Sequence, residues 1–124
     1  MLHHLSLAVA DLDRSRRFYD AALGALGFVP VWSFPDAVGY GPPGGGDKLA
    51  IKLAEGPVPA PAPGFHVAFA ARSRAHVDAF HLAGLEAGGR DAGPPGLRVQ
   101  YGPEYYAAYL IDPDRHRVEA VSKG

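Results

Sequence analysis

Residues 4–9, His4-Leu5-Ser6-Leu7-Ala8-Val9, return 62 positions later as residues 66–71, His66-Val67-Ala68-Phe69-Ala70-Ala71. The correspondence continues without a gap, with Phe18 falling on Phe80, Leu23 on Leu85 and Gly27 on Gly89. Repetition at a fixed offset marks one structural unit used more than once. Both copies alternate as a half-buried strand must. Leu5, Leu7 and Val9 share one face, as do Phe65, Val67 and Phe69, while His4, Ser6 and Ala8, or His66, Ala68 and Ala70, occupy the other.

Outward from each strand the chain has the same grammar twice. Asp11 and Ser73 stand at equivalent positions, where a short oxygen-bearing side chain accepts from the free N–H groups of a first helical turn. Apolar residues then follow at spacings of three and four: Phe18, Tyr19, Ala22, Leu23 and Leu26 in one half, Val77, Phe80, Gly84 and Leu85 in the other. Each helix is expected to end on a left-handed glycine, Gly27 or Gly89. Three short strands complete each half, at about 28–33, 37–41 and 47–54, then at about 97–101, 105–111 and 116–121. The expected fold class is α+β, with two tandem βαβββ units. A single domain, 1–124, divides into a first unit at 1–55, a Pro-rich spacer at 56–64 and a second unit at 65–124. Alternating prolines at 57, 59, 61 and 63 favour an extended polyproline segment. The Gly41-Pro42-Pro43-Gly44-Gly45-Gly46 run lacks the Lys-Ser/Thr of a phosphate loop and lies between two strands, so it reads as a hairpin loop.

Composition narrows the classes of function. With 12 basic and 13 acidic residues, scattered rather than clustered, the chain gives no electrostatic reason to expect nucleic acid or an anionic membrane as a partner. No targeting or spanning segment is read near the N-terminus, and the default compartment is the cytoplasm. With no cysteine and a chain of 124 residues, the core is expected to be self-sufficient, without disulfides or a structural metal.

Chemistry concentrates at the repeated histidines. His4 and His66 take the same place in the two copies, each on a strand face whose other residues are Ser or Ala. Two imidazoles brought to a shared concavity by an approximate two-fold axis would begin a metal site. Glu119 is the acid of the last strand, and its neighbours Val118 and Ala120 face the opposite way. Lys52 takes the matching place in the first half, where it either attracts a substrate carboxylate or pairs with Glu119. Tyr109 is either a hydroxyl for substrate orientation and proton transfer or a wall aromatic. Arg98, with Tyr101, Tyr105 and Tyr106, borders a glycine- and proline-rich loop, either as a lid that meets substrate or as solvated surface. His3, His76, His81 and His116 read as structural or solvated.

The duplicated unit, the His4-Leu5-Ser6-Leu7 strand, Asp11-Leu12, Phe18-Tyr19, Gly27, His66 and the Asp112-Pro113-Asp114 turn leading to Glu119 together resemble the vicinal oxygen chelate superfamily. That group includes glyoxalase I, extradiol dioxygenases, and bleomycin and fosfomycin resistance proteins, and the likeness is to its glyoxalase-like branch. The resemblance implies a cupped mixed sheet built from paired units and a homodimer. It also implies a divalent ion (Fe, Mn, Ni or Zn) held by His4, His66 and Glu119, with Glu119 and Tyr109 as catalytic groups and Lys52, Arg98 and Tyr101 near the substrate. The activity so implied is metal-dependent lyase or isomerase chemistry on a small molecule that chelates through adjacent oxygens. A metal-free resistance-type binding protein and an extradiol-type dioxygenase are the alternatives. Three features depart from the pattern: Lys52 stands where glyoxalase I-like members carry an acidic ligand, Arg115 stands where extradiol enzymes carry a turn Gly, and residues 99–104 contain no His to serve as the extradiol acid–base group.

Overall fold

The computed structural model describes residues 1–124. Strand β1 (Leu5–Val9) is followed by helix α1 (Leu12–Gly24), then β2 (Val29–Phe34), β3 (Ala37–Gly41) and β4 (Leu49–Leu53). The second half runs β5 (Val67–Ala70), α2 (Arg74–Glu86), β6 (Arg90–Leu97), β7 (Tyr106–Ile111) and β8 (Arg117–Ser122). The strands form two four-stranded mixed sheets, ordered β1-β4-β3-β2 and β5-β8-β7-β6. In each, the first strand pairs in parallel with the last, and the remaining pairs are antiparallel. A parallel pair needs a crossover, which the helix supplies. No helix is long and apolar enough to cross a membrane.

Capping follows the expected residues. Asp11 accepts from the N–H of Arg14, and Ser73 accepts from the N–H of His76, so each helix starts on a satisfied first turn. The helix ends differ from expectation at one glycine. Gly27 is left-handed, at φ 88°, but in the second half the left-handed residue is Gly88, at φ 100°, not Gly89. Gly89 is needed for a different reason: a Cβ there would lie 2.5 Å from the Phe18 ring and 2.9 Å from the Gly84 carbonyl oxygen. The first strand after α2 also lies earlier than expected, at Arg90–Leu97 rather than 97–101, and its pairing with β7 is interrupted at Gly93. Its sequence, Arg90-Asp91-Ala92-Gly93-Pro94-Pro95-Gly96-Leu97, carries no alternating apolar signal, and its two prolines sit where an edge strand tolerates them.

Helix α1 covers one face of the first sheet, α2 covers one face of the second, and the helices pack against each other. Phe18, Tyr19, Leu23, Val77 and Phe80 are buried between them with Leu110, Val118 and Ala120 in one continuous core. Each large apolar side chain buried there contributes about 1.5–3 kcal/mol. The remaining face of each sheet carries no helix. Ser6 and Ala8 lie exposed on that face in the first half, and Ala68 and Ala70 in the second.

The halves are also joined by a buried polar network at the β7–β8 turn. Asp112 accepts from the Tyr19 hydroxyl, from His116 Nδ1 at 2.8 Å and from the N–H groups of Asp114 and His116. Asp114 accepts from the Ala10 N–H and the Ser15 hydroxyl, both at 2.9 Å, and pairs with Arg14 at 3.4 Å. Burial, then the Asp112 charge, raise the Tyr19 phenol well above its ordinary value. The folded state therefore holds that proton more tightly than the unfolded chain, and its contribution is complete below about pH 10 and lost as pH rises through the folded value. Tyr19→Phe is expected to lower stability by about 1–3 kcal/mol at neutral pH. In urea titrations at increasing pH, the gap between variant and parent should narrow above about pH 10.

Candidate functional site

Strand β8 presents Glu119 to the helix-free face of the second sheet. Its neighbours Val118 and Ala120 belong to the core, and Glu119 is flanked in register by Ala68 on β5 and Tyr109 on β7. Only 1 % of Glu119 is exposed, and its carboxylate is fully partnered. Tyr105 donates its hydroxyl to Oε2 at 2.6 Å, and His66 Nε2 lies 3.1 Å from Oε1. Ala68, paired in register with Glu119 and on the same face, is small and does not cover the carboxylate on that side.

These groups line a cavity of about 570 Å³. Phe65 and His66 come from the entry to β5, Tyr105 and Tyr109 from β7 and its approach, and Arg117 and Glu119 from β8. Arg98 and Tyr101 close it from the loop between β6 and β7. Gly93, opposite Tyr109, permits this closure: a Cβ there would stand 2.9 Å from the Tyr109 ring and 3.2 Å from the Arg98 guanidinium. Arg98 lies over the Tyr109 ring at 5.5 Å and donates to the Pro94 carbonyl at 2.7 Å. Burial raises the Tyr105 phenol, and the Glu119 hydrogen bond and charge add to the rise. Burial and the Glu119 charge likewise raise Tyr109, opposed by Arg98. Both phenols therefore remain protonated donors at neutral pH.

Among the residues expected to form a site, His66, Glu119, Tyr109, Arg98 and Tyr101 share this cavity. His4 does not. It stands exposed before β1, its Nδ1 2.9 Å from that of His3, and the two rings with Asp47 form a separate group at the edge of the first sheet. His3 is likewise exposed. Lys52 is exposed on β4, opposite Ala8 and Ala37, and makes no ion pair with Glu119. Equivalent positions in the two halves do not converge because the helices occupy the space between the sheets.

Arg117 was not expected in the site, and Tyr105, expected only beside the loop as lid or surface, is the partner of Glu119. Tyr105 lies four residues before Tyr109, an even spacing that puts both on one face of a strand, and Arg117 bears the same relation to Glu119 two residues on. Period two therefore held the signal for both. The other histidines are structural: His81 is buried beside Asp91 at 2.9 Å, His116 beside Asp112, and His76 contacts Ser73.

Residues 1–120 match the Glyoxalase/Bleomycin resistance protein/Dioxygenase superfamily. The chain belongs to this superfamily. A glyoxalase/bleomycin resistance protein from Albidiferax ferrireducens T118 has a similar crystal structure, with TM-score 0.84 and 36% identity over 98% of both chains. The Bacillus subtilis (strain 168) protein YqjT is 29% identical over 98% of both sequences. The fosfomycin resistance protein FosX from Listeria monocytogenes shares the fold, with TM-score 0.70 and 22% identity over 98% of this chain and 92% of that one.

Since Glu119 is buried, removing its Tyr105 partner strands a carboxylate oxygen. Tyr105→Phe is expected to cost about 1–3 kcal/mol in urea unfolding. Tyr101→Phe, at an exposed ring, should stay within about 0.5 kcal/mol of the parent.

Proposed function

We propose that the cavity is half of a metal-dependent lyase or isomerase site that acts on a small molecule through adjacent oxygens. The observation that carries this reading is the 3.1 Å separation of His66 Nε2 and Glu119 Oε1 on the cavity floor. Two ligand atoms at about 2.1 Å from one ion and at right angles lie about 3 Å apart, so the pair is spaced as adjacent ligands are. Imidazole and carboxylate suit Fe, Mn, Ni and Zn. A reactive site of this kind takes three protein ligands and keeps positions open, and one chain brings two donors to this cavity.

His4 of a second copy is the third. It is exposed, it stands two residues before Ser6 in the alternation that puts Ser6 and Ala8 on the helix-free face, and β1 and β5 are both sheet edges with unpaired backbone groups. Joining the first sheet of one chain to the second sheet of another would bring His4, Lys52 and Trp32 over His66 and Glu119. The product is a homodimer with two equivalent cups, as a two-fold interface requires.

The chemistry that a divalent ion supplies at such a site is Lewis-acid polarisation of adjacent substrate oxygens. The chain's own groups do the rest. Tyr105 fixes the Glu119 carboxylate through Oε2 and leaves Oε1 beside His66. Tyr109, kept protonated by burial and by the Glu119 charge, offers a hydroxyl proton to a substrate oxygen. Arg98 and Tyr101 orient the substrate at the rim. Lys52 of the partner copy adds a cation to the same cup.

A metal-free binding protein is the second reading, favoured by the complete partnering of Glu119 within the chain. Elemental analysis decides between them. Protein purified without chelator and supplied with iron, manganese, nickel and zinc in turn should hold a stoichiometric ion, which His66→Ala and Glu119→Gln both remove. A metal content that is absent in the parent, or unchanged in His66→Ala, refutes the enzyme reading.

A further inference from the structure

We infer that this cavity selects a planar, aromatic carboxylate, whose acid group is gripped by Arg98 and Arg117 and whose ring lies against Tyr101. The inference rests on the reading of the cavity as the reactive site, and it names what enters.

The charge of the cavity favours an acid. Arg98 and Arg117 are permanent cations lining the same space, and Glu119 is the one carboxylate that faces them. Glu119 is already committed to Tyr105 and His66. Arg117 is exposed and enters no ion pair and no side-chain hydrogen bond, although Glu119 lies two residues away on the same strand face. Its guanidinium is therefore available, and a bound divalent cation would make the cavity more positive still. Such a field draws in anions and repels cations, and it gives a neutral molecule no comparable gain.

The setting of Arg98 favours a planar acid. Arg98 is held from two sides, by the Tyr109 ring beneath it and the Pro94 carbonyl beside it. A guanidinium so fixed loses little freedom on meeting a carboxylate, and its planar fork matches a planar acid.

The wall of the cavity favours a ring. Tyr101 is 65% exposed and its ring lies 5.3 Å from that of Tyr105, while Phe65 is 39% exposed at the entry to β5. Three aromatic rings left open around a polar floor provide flat apolar faces for a flat ligand. An aliphatic acid would satisfy the arginines and leave these faces wet. A cavity of about 570 Å³ accommodates a ring system as well as its acid group.

The test uses 2-naphthoate, its neutral analogue 2-naphthamide, and cyclohexanecarboxylate as an acid without an aromatic ring. Affinities are measured by calorimetry on chelator-treated and on metal-supplied protein. Naphthoate is expected to bind at least about tenfold more tightly than either comparison in both preparations. Arg98→Gln with Arg117→Gln should reduce naphthoate to the level of naphthamide and leave naphthamide unchanged. Tyr101→Ser should weaken both naphthyl ligands and spare cyclohexanecarboxylate. Equal binding of acid and amide, no binding of naphthoate, or a preference that survives the double arginine variant overturns the inference. A preference that appears only with metal also overturns it, because the ion rather than the arginines would then read the charge. Failure of the metal reading is separate: it appears as missing metal in the parent protein and leaves the acid preference of chelator-treated protein intact.

Discussion

Two carboxylates taken out of water hold this molecule together. Asp112 and Asp114 are 3% and 4% exposed, and burying them is tolerable only because every oxygen meets a donor. Donors from the turn itself satisfy part of Asp112. The others, the Tyr19 and Ser15 hydroxyls, the Ala10 N–H and the Arg14 guanidinium, come from the first half of the chain. The β7–β8 turn is thereby fastened to the end of β1 and the inner face of α1. Once it is fixed there, the apolar sides of both sheets must face the helices. Val118 and Ala120 turn inward, and the alternation of β8 sends Glu119 the other way.

That constraint accounts for the division of the candidate site. Both helices lie on the inner side, so the helix-free faces belong to different sheets and cannot close over one another within a chain. His66, Glu119, Tyr105 and Tyr109 share one of them, while His4, Lys52 and Trp32 belong to the other half. Trp32 lies flat on its sheet, against Gly39, where any Cβ would overlap the indole. A cup assembled from two copies, as proposed, would use both faces and would cover the two exposed sheet edges, β1 and β5, in the same step.

Much of this was legible in the residues. An offset of 62 relates α1 and α2 end to end, from Leu12 to Arg74 and from Gly24 to Glu86. Strands with strict alternation, such as β1 and β5, were readable for the same reason, because one face meets the core and the other does not. The less legible parts follow from different physics. β6 is built from Gly and Pro and is held by its partner strand rather than by its own apolar pattern. Gly88 and Gly89 have distinct tasks, one a backbone angle and one a close approach to Phe18, which adjacent identical residues cannot declare. The expected meeting of His4 and His66 at a shared concavity left open whether one chain or two supply it. Repetition fixes which positions are equivalent but not on which side of the helices they lie.

The central claim is that each site draws His4 from one chain and His66 with Glu119 from another, and mixing two inactive chains tests it most directly. His4→Ala and His66→Ala proteins should each lack the stoichiometric ion. In a mixed dimer, one cup loses both histidines and the other regains a complete set. After the two variants are unfolded and refolded together, the account predicts that metal returns to about a quarter of the parent content per chain, as random pairing of two chains requires. Mixed protein as empty of metal as either variant alone, while the parent refolds to full content, would contradict it.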